Sequence, residues 1–156
     1  MLNVDDVAPD FDLPSTKGKD KRFRLAETLA RKPVLLAFYP FDWSPVCTNE
    51  LGFLNTSLDD FKAKGVAVAA ISVDSEFCHA AWAKSEGLRL PLLSDFNKDV
   101  CRGYGVLYEN YEGLKGFAKR SVLLIDKSGV IRYMWVSEDP GQEPDYDSIF
   151  AAVDAL

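Results

Sequence analysis

Apolar and polar positions alternate along this chain in blocks that switch period several times. Residues 10–25, "DFDLPSTKGKDKRFRL", read as two extended pieces around a turn at Gly18. After Pro33, "VLLAFY" (34–39) is apolar without a break, the pattern of a strand buried on both faces. Leu51, Leu54, Leu58 and Phe61 then recur at helical spacing, and this predicts one helix that stops at Gly65. "VAVAAISV" (66–73) repeats the buried-strand pattern, with small alanines suited to close packing. A second helix follows, capped by Asp74 or Ser75, carrying Phe77, Ala81 and Trp82 and ending at Gly87. "LPLLSD" is a short strand and "NKDVCRGYG" a short helix broken by Gly103 and Gly105. "SVLLID", a turn over Lys127–Gly129 and "VIRYMWV" make a hairpin. "PDYDSIFAAVDAL" closes the chain as an amphipathic helix capped near Asp145.

A strand–helix–strand crossover followed by a hairpin and a last helix predicts an α/β fold. The expected architecture is a central mixed sheet flanked by helices, in the order of a thioredoxin-like fold, with one inserted strand–helix pair and an N-terminal β extension. No repeat, low-complexity tract or linker divides the 156 residues, so a single domain over 1–156 is expected. That length buries enough surface to hold a core without disulfides or metals.

Composition narrows the partners. The chain is 47% hydrophobic and 27% charged, as soluble proteins are, and its net charge of −6 comes with only one basic cluster, "KGKDKR" (17–22). Nucleic acid and anionic membranes are therefore not expected partners. "MLNVDDVAPDFDL" has neither a basic start nor an apolar run, so no signal peptide is read and a cytoplasmic location is expected. There thiols stay reduced. The three cysteines form no CxxC pair and no zinc-type spacing, and no cofactor motif is present.

One cysteine stands out. In "FYPFDWSPVCTNEL" (38–51), Ser44 is placed as helix N-cap and Pro45 at N1, where its missing N–H is no loss. Cys47 then falls in the first turn, among unpaired backbone N–H groups at the positive end of the helix dipole, a setting that favours thiolate. Buried packing as a small apolar residue is the alternative, and Asp42, Ser44, Thr48, Asn49 and Glu50 around it speak against that. A dithiol oxidoreductase would need a cysteine where Ser44 stands. A cysteine protease would need a histidine base, and His79, the one histidine, reads as part of the first turn of an ordinary helix. A metal site on Cys78 and His79 lacks further ligands at hand. A thiol that attacks a peroxide needs another set of parts: donors aimed at both peroxide oxygens, and exclusion of water. Ser44, the Cys47 amide and a guanidinium could donate, and Pro40 could cover the sulfur.

Those residues resemble a known family. Pro40 to Cys47, "PFDWSPVC", is similar to the peroxiredoxin motif PxxxTxxC with Ser44 in the threonine place. "PDFDL", "ISVDSEFCHAAWA", "LPLLSDFNKDV", "YGV" and "KRSVLLIDKSGVIRYMWV" follow in the family's order, on the side of the AhpE or bacterioferritin-comigratory (PrxQ) members. The resemblance implies a thiol-dependent peroxidase acting on hydrogen peroxide and small organic hydroperoxides. It implies Cys47 as the peroxidatic cysteine, Pro40 as its shield and Ser44 as the hydroxyl that bonds thiolate and peroxide. Arg120 matches the arginine that stabilises the thiolate, Glu50 the side chain that positions it, and Tyr39 the aromatic before the proline. The sulfenic acid formed at Cys47 must be reduced. Cys78, in a helix first turn that should favour its thiolate, is preferred over Cys101, which reads as a buried small residue. A one-Cys cycle with an external thiol stays open, as do a disulfide reductase and a non-catalytic module on the same fold. A thioredoxin-like or low-molecular-weight thiol reductant and a homodimer are also expected from the resemblance.

Overall fold

The computed structural model describes residues 2–156. Five strands form the central sheet, with β3 (Val34–Phe38) in the middle. Its neighbours are β4 (Ala67–Ser72), parallel, and β8 (Ser121–Ile125), antiparallel. β5 (Leu92–Ser94) and β9 (Ile131–Val136) complete a mixed sheet in the order β5-β4-β3-β8-β9. The N-terminal extension is a hairpin of β1 (Asp12–Pro14) and β2 (Arg22–Arg24).

Alternation along β3 divides the core in two. Val34, Leu36 and Phe38 face one side, with Phe11 and Leu13 of the extension, the short helix α1 (Leu25–Leu29) and α5 (Asp99–Gly103). Leu35, Ala37 and Tyr39 face the other, against α2 (Pro45–Thr56), α3 (Leu58–Ala63), α4 (Glu76–Glu86) and α6 (Tyr146–Asp154). Every residue of β3 is buried, as its unbroken apolar run requires.

Several elements depart from the periodicity. The expected helix through Leu51 and Phe61 is two, parted at Ser57, whose ψ of 1° leaves the helical range. The Thr56 hydroxyl donates back to the Gly52 carbonyl there, a bond known to bend helices. α1 and a two-stranded ribbon of β6 (Leu107–Tyr108) and β7 (Phe117–Ala118) carry no clear period and were not anticipated. Phe77, assigned to the packed face of α4, is instead 81% exposed, and that helix buries His79, Trp82 and Ala83.

The loop from β3 to α2 is tied down by a buried polar network. The Tyr39 hydroxyl donates to Asp42 Oδ1 at 2.6 Å, and His79 Nδ1 lies 2.7 Å from Asp42 Oδ2. His79 Nε2 meets the Leu93 carbonyl at 3.0 Å, so acceptors face both ring nitrogens. The Asp42 amide donates to Asp74 Oδ2 at 2.9 Å, and the Ser72 hydroxyl donates to the same oxygen. Three strand ends and one helix thus hold the loop that leads to Cys47. Burial and the Asp42 charge push the Tyr39 phenol well above its ordinary pKa. His79→Ala should lower the unfolding free energy by about 3–5 kcal/mol, from the packing lost at a wholly buried ring and the hydrogen-bond partner taken from buried Asp42. Urea denaturation measures it, and a loss under about 1 kcal/mol would mean that the loop does not depend on this pair.

Candidate active site

The two ends of the site come from adjacent strands. β3 and β8 pair with Phe38 opposite Ser121, which brings Tyr39–Pro40 and Arg120 to the same sheet end although Arg120 lies 73 residues after Cys47. α2 leaves that end with Cys47 at its third position. The Cys47 side chain is wholly buried, with Leu51 and Leu54 of its own helix in the same core.

Arg120 is the organising group. Its Nη2 lies 3.1 Å from Cys47 Sγ, and its Nη1 donates to Glu50 Oε1 at 3.0 Å. Its Nε and Nη2 also donate to the Pro140 carbonyl, at 3.1 and 2.8 Å. Arg120 is 1% exposed and Glu50 fully buried. Burial alone would disfavour the guanidinium charge, yet Glu50 and Cys47 raise its pKa above the ordinary value. Burial pushes the Glu50 carboxyl up to about 7, against the opposing pull of Arg120. Among the described residues its second oxygen, Oε2, has no hydrogen-bond partner.

Ser44 behaves differently from its expected part. It is the N-cap residue, but its hydroxyl does not cap; it donates to the Phe41 carbonyl at 3.1 Å. No side-chain cap therefore occupies the first-turn amides beside Cys47. Trp43, immediately before it, adopts a left-handed φ of 71°, an uncommon conformation for a bulky residue. Pro40 is buried and, with Ser44 and Arg120, lines a pocket of about 300 Å³ whose other walls include Phe41, Val46, Leu114 and Phe117. A larger cleft of about 610 Å³, walled by Phe77, Phe96 and Asp95, includes neither Cys47 nor Arg120.

The other cysteines separate clearly, and all three are free thiols. Cys101 is buried in α5, where burial and Asp95 drive its pKa far up. Cys78 is half-buried and occupies in α4 the position that Cys47 occupies in α2, three residues after a serine N-cap. Here the serine does cap: Ser75 Oγ accepts from the Cys78 amide at 3.1 Å. The expectation that this helix start favours a Cys78 thiolate is corrected. Burial, with the Asp42 and Asp74 carboxylates beside it, pushes the thiol up to about 11. The ligand atoms of Asp42, Asp74 and Cys78 lie within 4.8 Å of one another. His79, offered as a metal ligand with Cys78, instead spends both nitrogens on Asp42 and the Leu93 carbonyl.

Sequence reading missed Asp42 and His79 as partners. A histidine in a helix whose face turns inward is one signal that could have found them. Because Cys78 stays protonated to about pH 11, its iodoacetamide modification at pH 8 should be on the order of a hundredfold slower than that of an unperturbed thiol. Asp74→Asn should speed it. Peptide mass spectrometry of the modified protein reads both, and a Cys78 rate equal to free cysteine would contradict the assignment.

Comparison with known proteins joins this geometry to a chemistry. Residues 4–134 match the AhpC/TSA family. The chain is 37% identical over 146 residues to a chloroplastic 2-cysteine peroxiredoxin of Chattonella marina var. antiqua, covering 87% of this chain and 71% of that one. It is 37% identical over 145 residues to a thioredoxin peroxidase of Echinococcus granulosus, covering 88% and 72%. The crystal structure of peroxidoxin BcpB from Mycobacterium tuberculosis superposes with a TM-score of 0.87 at 28% identity, over 100% of this chain and 99% of that one. With a buried arginine against a helix-start cysteine on a thioredoxin-like fold, the chain belongs to the AhpC/TSA peroxiredoxin family of thiol-dependent peroxidases.

Proposed function

We propose that Cys47 is the peroxidatic nucleophile and that Arg120, Ser44, Pro40 and Glu50 serve it. The observation that carries this reading is the 3.1 Å contact between Arg120 Nη2 and Cys47 Sγ, with both groups removed from water. A guanidinium in that position favours the thiolate and remains at hand for the peroxide oxygens. The sulfur attacks the terminal peroxide oxygen; an S–O bond forms, the O–O bond breaks, and the departing alkoxide takes a proton. Cys47 leaves as sulfenic acid, oxidised by two electrons.

The uncapped first-turn amides supply donors on the helix side. Ser44 is proposed to turn its hydroxyl from the Phe41 carbonyl toward sulfur and peroxide, a freedom that serine's unbranched side chain allows. Pro40 shields the thiolate from water. The apolar pocket beside Arg120 accommodates the organic group of a small hydroperoxide as well as hydrogen peroxide itself.

For the second half of the cycle, we propose that the Cys78 thiol condenses with the sulfenic acid, forming a disulfide and releasing water. An external dithiol of the thioredoxin type, or a low-molecular-weight thiol, then reduces it; one relative carries the name thioredoxin peroxidase. The raised Cys78 pKa makes this thiol a poor nucleophile until a carboxylate takes its proton, and Asp42 and Asp74 adjoin it. The same observation favours a second reading, a one-Cys cycle in which an external thiol reduces Cys47 directly. Either cycle fits a reducing compartment such as the cytoplasm, and a homodimer is the proposed assembly.

Cys47→Ser should reduce peroxide consumption to background, whereas measurable residual turnover would end the assignment. Arg120→Met should slow Cys47 oxidation roughly 10- to 100-fold, the worth of one charge-assisted hydrogen bond. Stopped-flow oxidation by hydrogen peroxide tests it. Mass spectrometry after one equivalent of peroxide separates a Cys47–Cys78 disulfide from a lone sulfenic acid, and so decides between the cycles.

A further inference from the structure

Two buried acids face one buried cation at this site. The Cys47 thiol and the Glu50 carboxyl meet adjacent nitrogens of the same guanidinium, and all three side chains are at most 1% exposed. If both acids ionised, the cluster would carry a net negative charge without water to dissipate it; with one proton between them it is neutral. A neutral cluster is strongly favoured in such surroundings. The other titratable groups facing Glu50 do not change this sum. Glu143, in the loop after β9, repels its charge, and Tyr146 of α6 donates its hydroxyl to Glu143 at 2.6 Å. Burial and the Glu143 and Glu50 charges drive the Tyr146 phenol far up, so it stays protonated.

We propose that Cys47 and Glu50 share a single proton, so that the thiolate exists while Glu50 holds that proton as a carboxylic acid. The unpartnered Oε2 is where the proton would sit, since Oε1 already accepts from Arg120. Independent support comes from the Glu50 carboxyl being pushed up to about 7, into the range where a neutral acid persists. A group that only positioned Arg120 would be expected to stay ionised.

The shared proton also balances the peroxide step. Thiolate, carboxylic acid and ROOH become sulfenic acid, carboxylate and ROH. Sulfur loses its negative charge as the S–O bond forms, and Glu50 acquires one as its proton passes to the departing alkoxide. Arg120 faces a single anion before and after, so the cation is never left unpaired. Only this last step rests on the peroxidase reading.

The two roles of Glu50 give opposite results in Glu50→Gln. The substituted amide can still accept from Arg120 but carries no charge. A shared proton means that the midpoint of the Cys47 pH–alkylation profile falls by about one unit or more, since a competing anion has been removed. A positioning role alone means that the midpoint stays or rises, which would overturn the proposal. Where Glu50→Gln does not fold, Cys47→Ser decides. The ¹³C carboxyl signal of Glu50 in protein labelled with glutamate should titrate about one unit or more lower in that variant than in wild type. An unmoved signal refutes the sharing. Finally, in Cys78→Ser protein treated with one equivalent of hydrogen peroxide at neutral pH, the Glu50 signal should move to the carboxylate position. A Glu50 that stays neutral there refutes the proton transfer. Alkylation and titration need no turnover, so they stand or fall apart from the peroxidase activity itself.

Discussion

The buried charge of Arg120 is the constraint around which this end of the molecule is built. A guanidinium removed from water costs several kcal/mol unless its donors and its charge are met. Its partners come from separate stretches of chain: Cys47 and Glu50 from the first turns of α2, and the Pro140 carbonyl from the loop after β9. Satisfying one side chain therefore fixes the helix start, the strand end and that loop relative to one another. Arg120's backbone is held as well, because its carbonyl accepts from the Ser137 amide at 2.9 Å. The sulfur and the cation are thereby set 3.1 Å apart, a spacing that follows from meeting the buried charge.

A second tie acts on the loop just upstream. Asp42 is gripped through both carboxylate oxygens and its amide, while Trp43 next to it is held at a left-handed φ. Strain of this kind persists only where neighbouring contacts over-determine the backbone. Here the contacts reach from Tyr39 at the end of β3, Asp74 after β4 and His79 in α4. Asp42 and Asp74 also lie beside the Cys78 thiol, so the loop bearing one cysteine and the helix bearing another are parts of one polar cluster. Releasing Cys47 from its buried position requires loosening that cluster or α2 itself.

How much was legible in the sequence depends on how local each interaction is. The unbroken apolar runs at Val34–Phe38 and Ala67–Ser72 marked central strands because burial on both faces leaves no polar position. A cap at Asp74 or Ser75 and the Gly87 stop were legible because capping is decided within a few residues, and Ser75 is the one that caps. The β6–β7 ribbon was not, as two-residue strands have no measurable period. Arg120 reads as an ordinary strand-start charge, and its convergence on Cys47 came only through resemblance to the family. His79, three residues before Trp82, could be read as inward-facing, but not that its partner lies 37 residues away. Ser44 was right as a cap position and differs as a side chain, since its hydroxyl turns to Phe41.

The two helix-start cysteines show what the helix alone contributes. Cys47 and Cys78 each stand three residues after a serine N-cap, so the helix dipole acts on both at similar range, although Ser75 caps the Cys78 amide and Ser44 caps none. What differs is the side chains brought by the rest of the fold. Arg120 comes to Cys47 from β8, whereas Asp42 and Asp74 come to Cys78 from the loops after β3 and β4. Reading Cys78 as an activated thiol counted the dipole and omitted the carboxylates. A full charge at hydrogen-bond distance in a poorly hydrated site outweighs a half-charge spread over a helix end. Helix position nominates both cysteines; tertiary charge sets a cation against one and carboxylates against the other, and that difference is what the proposed roles rest on.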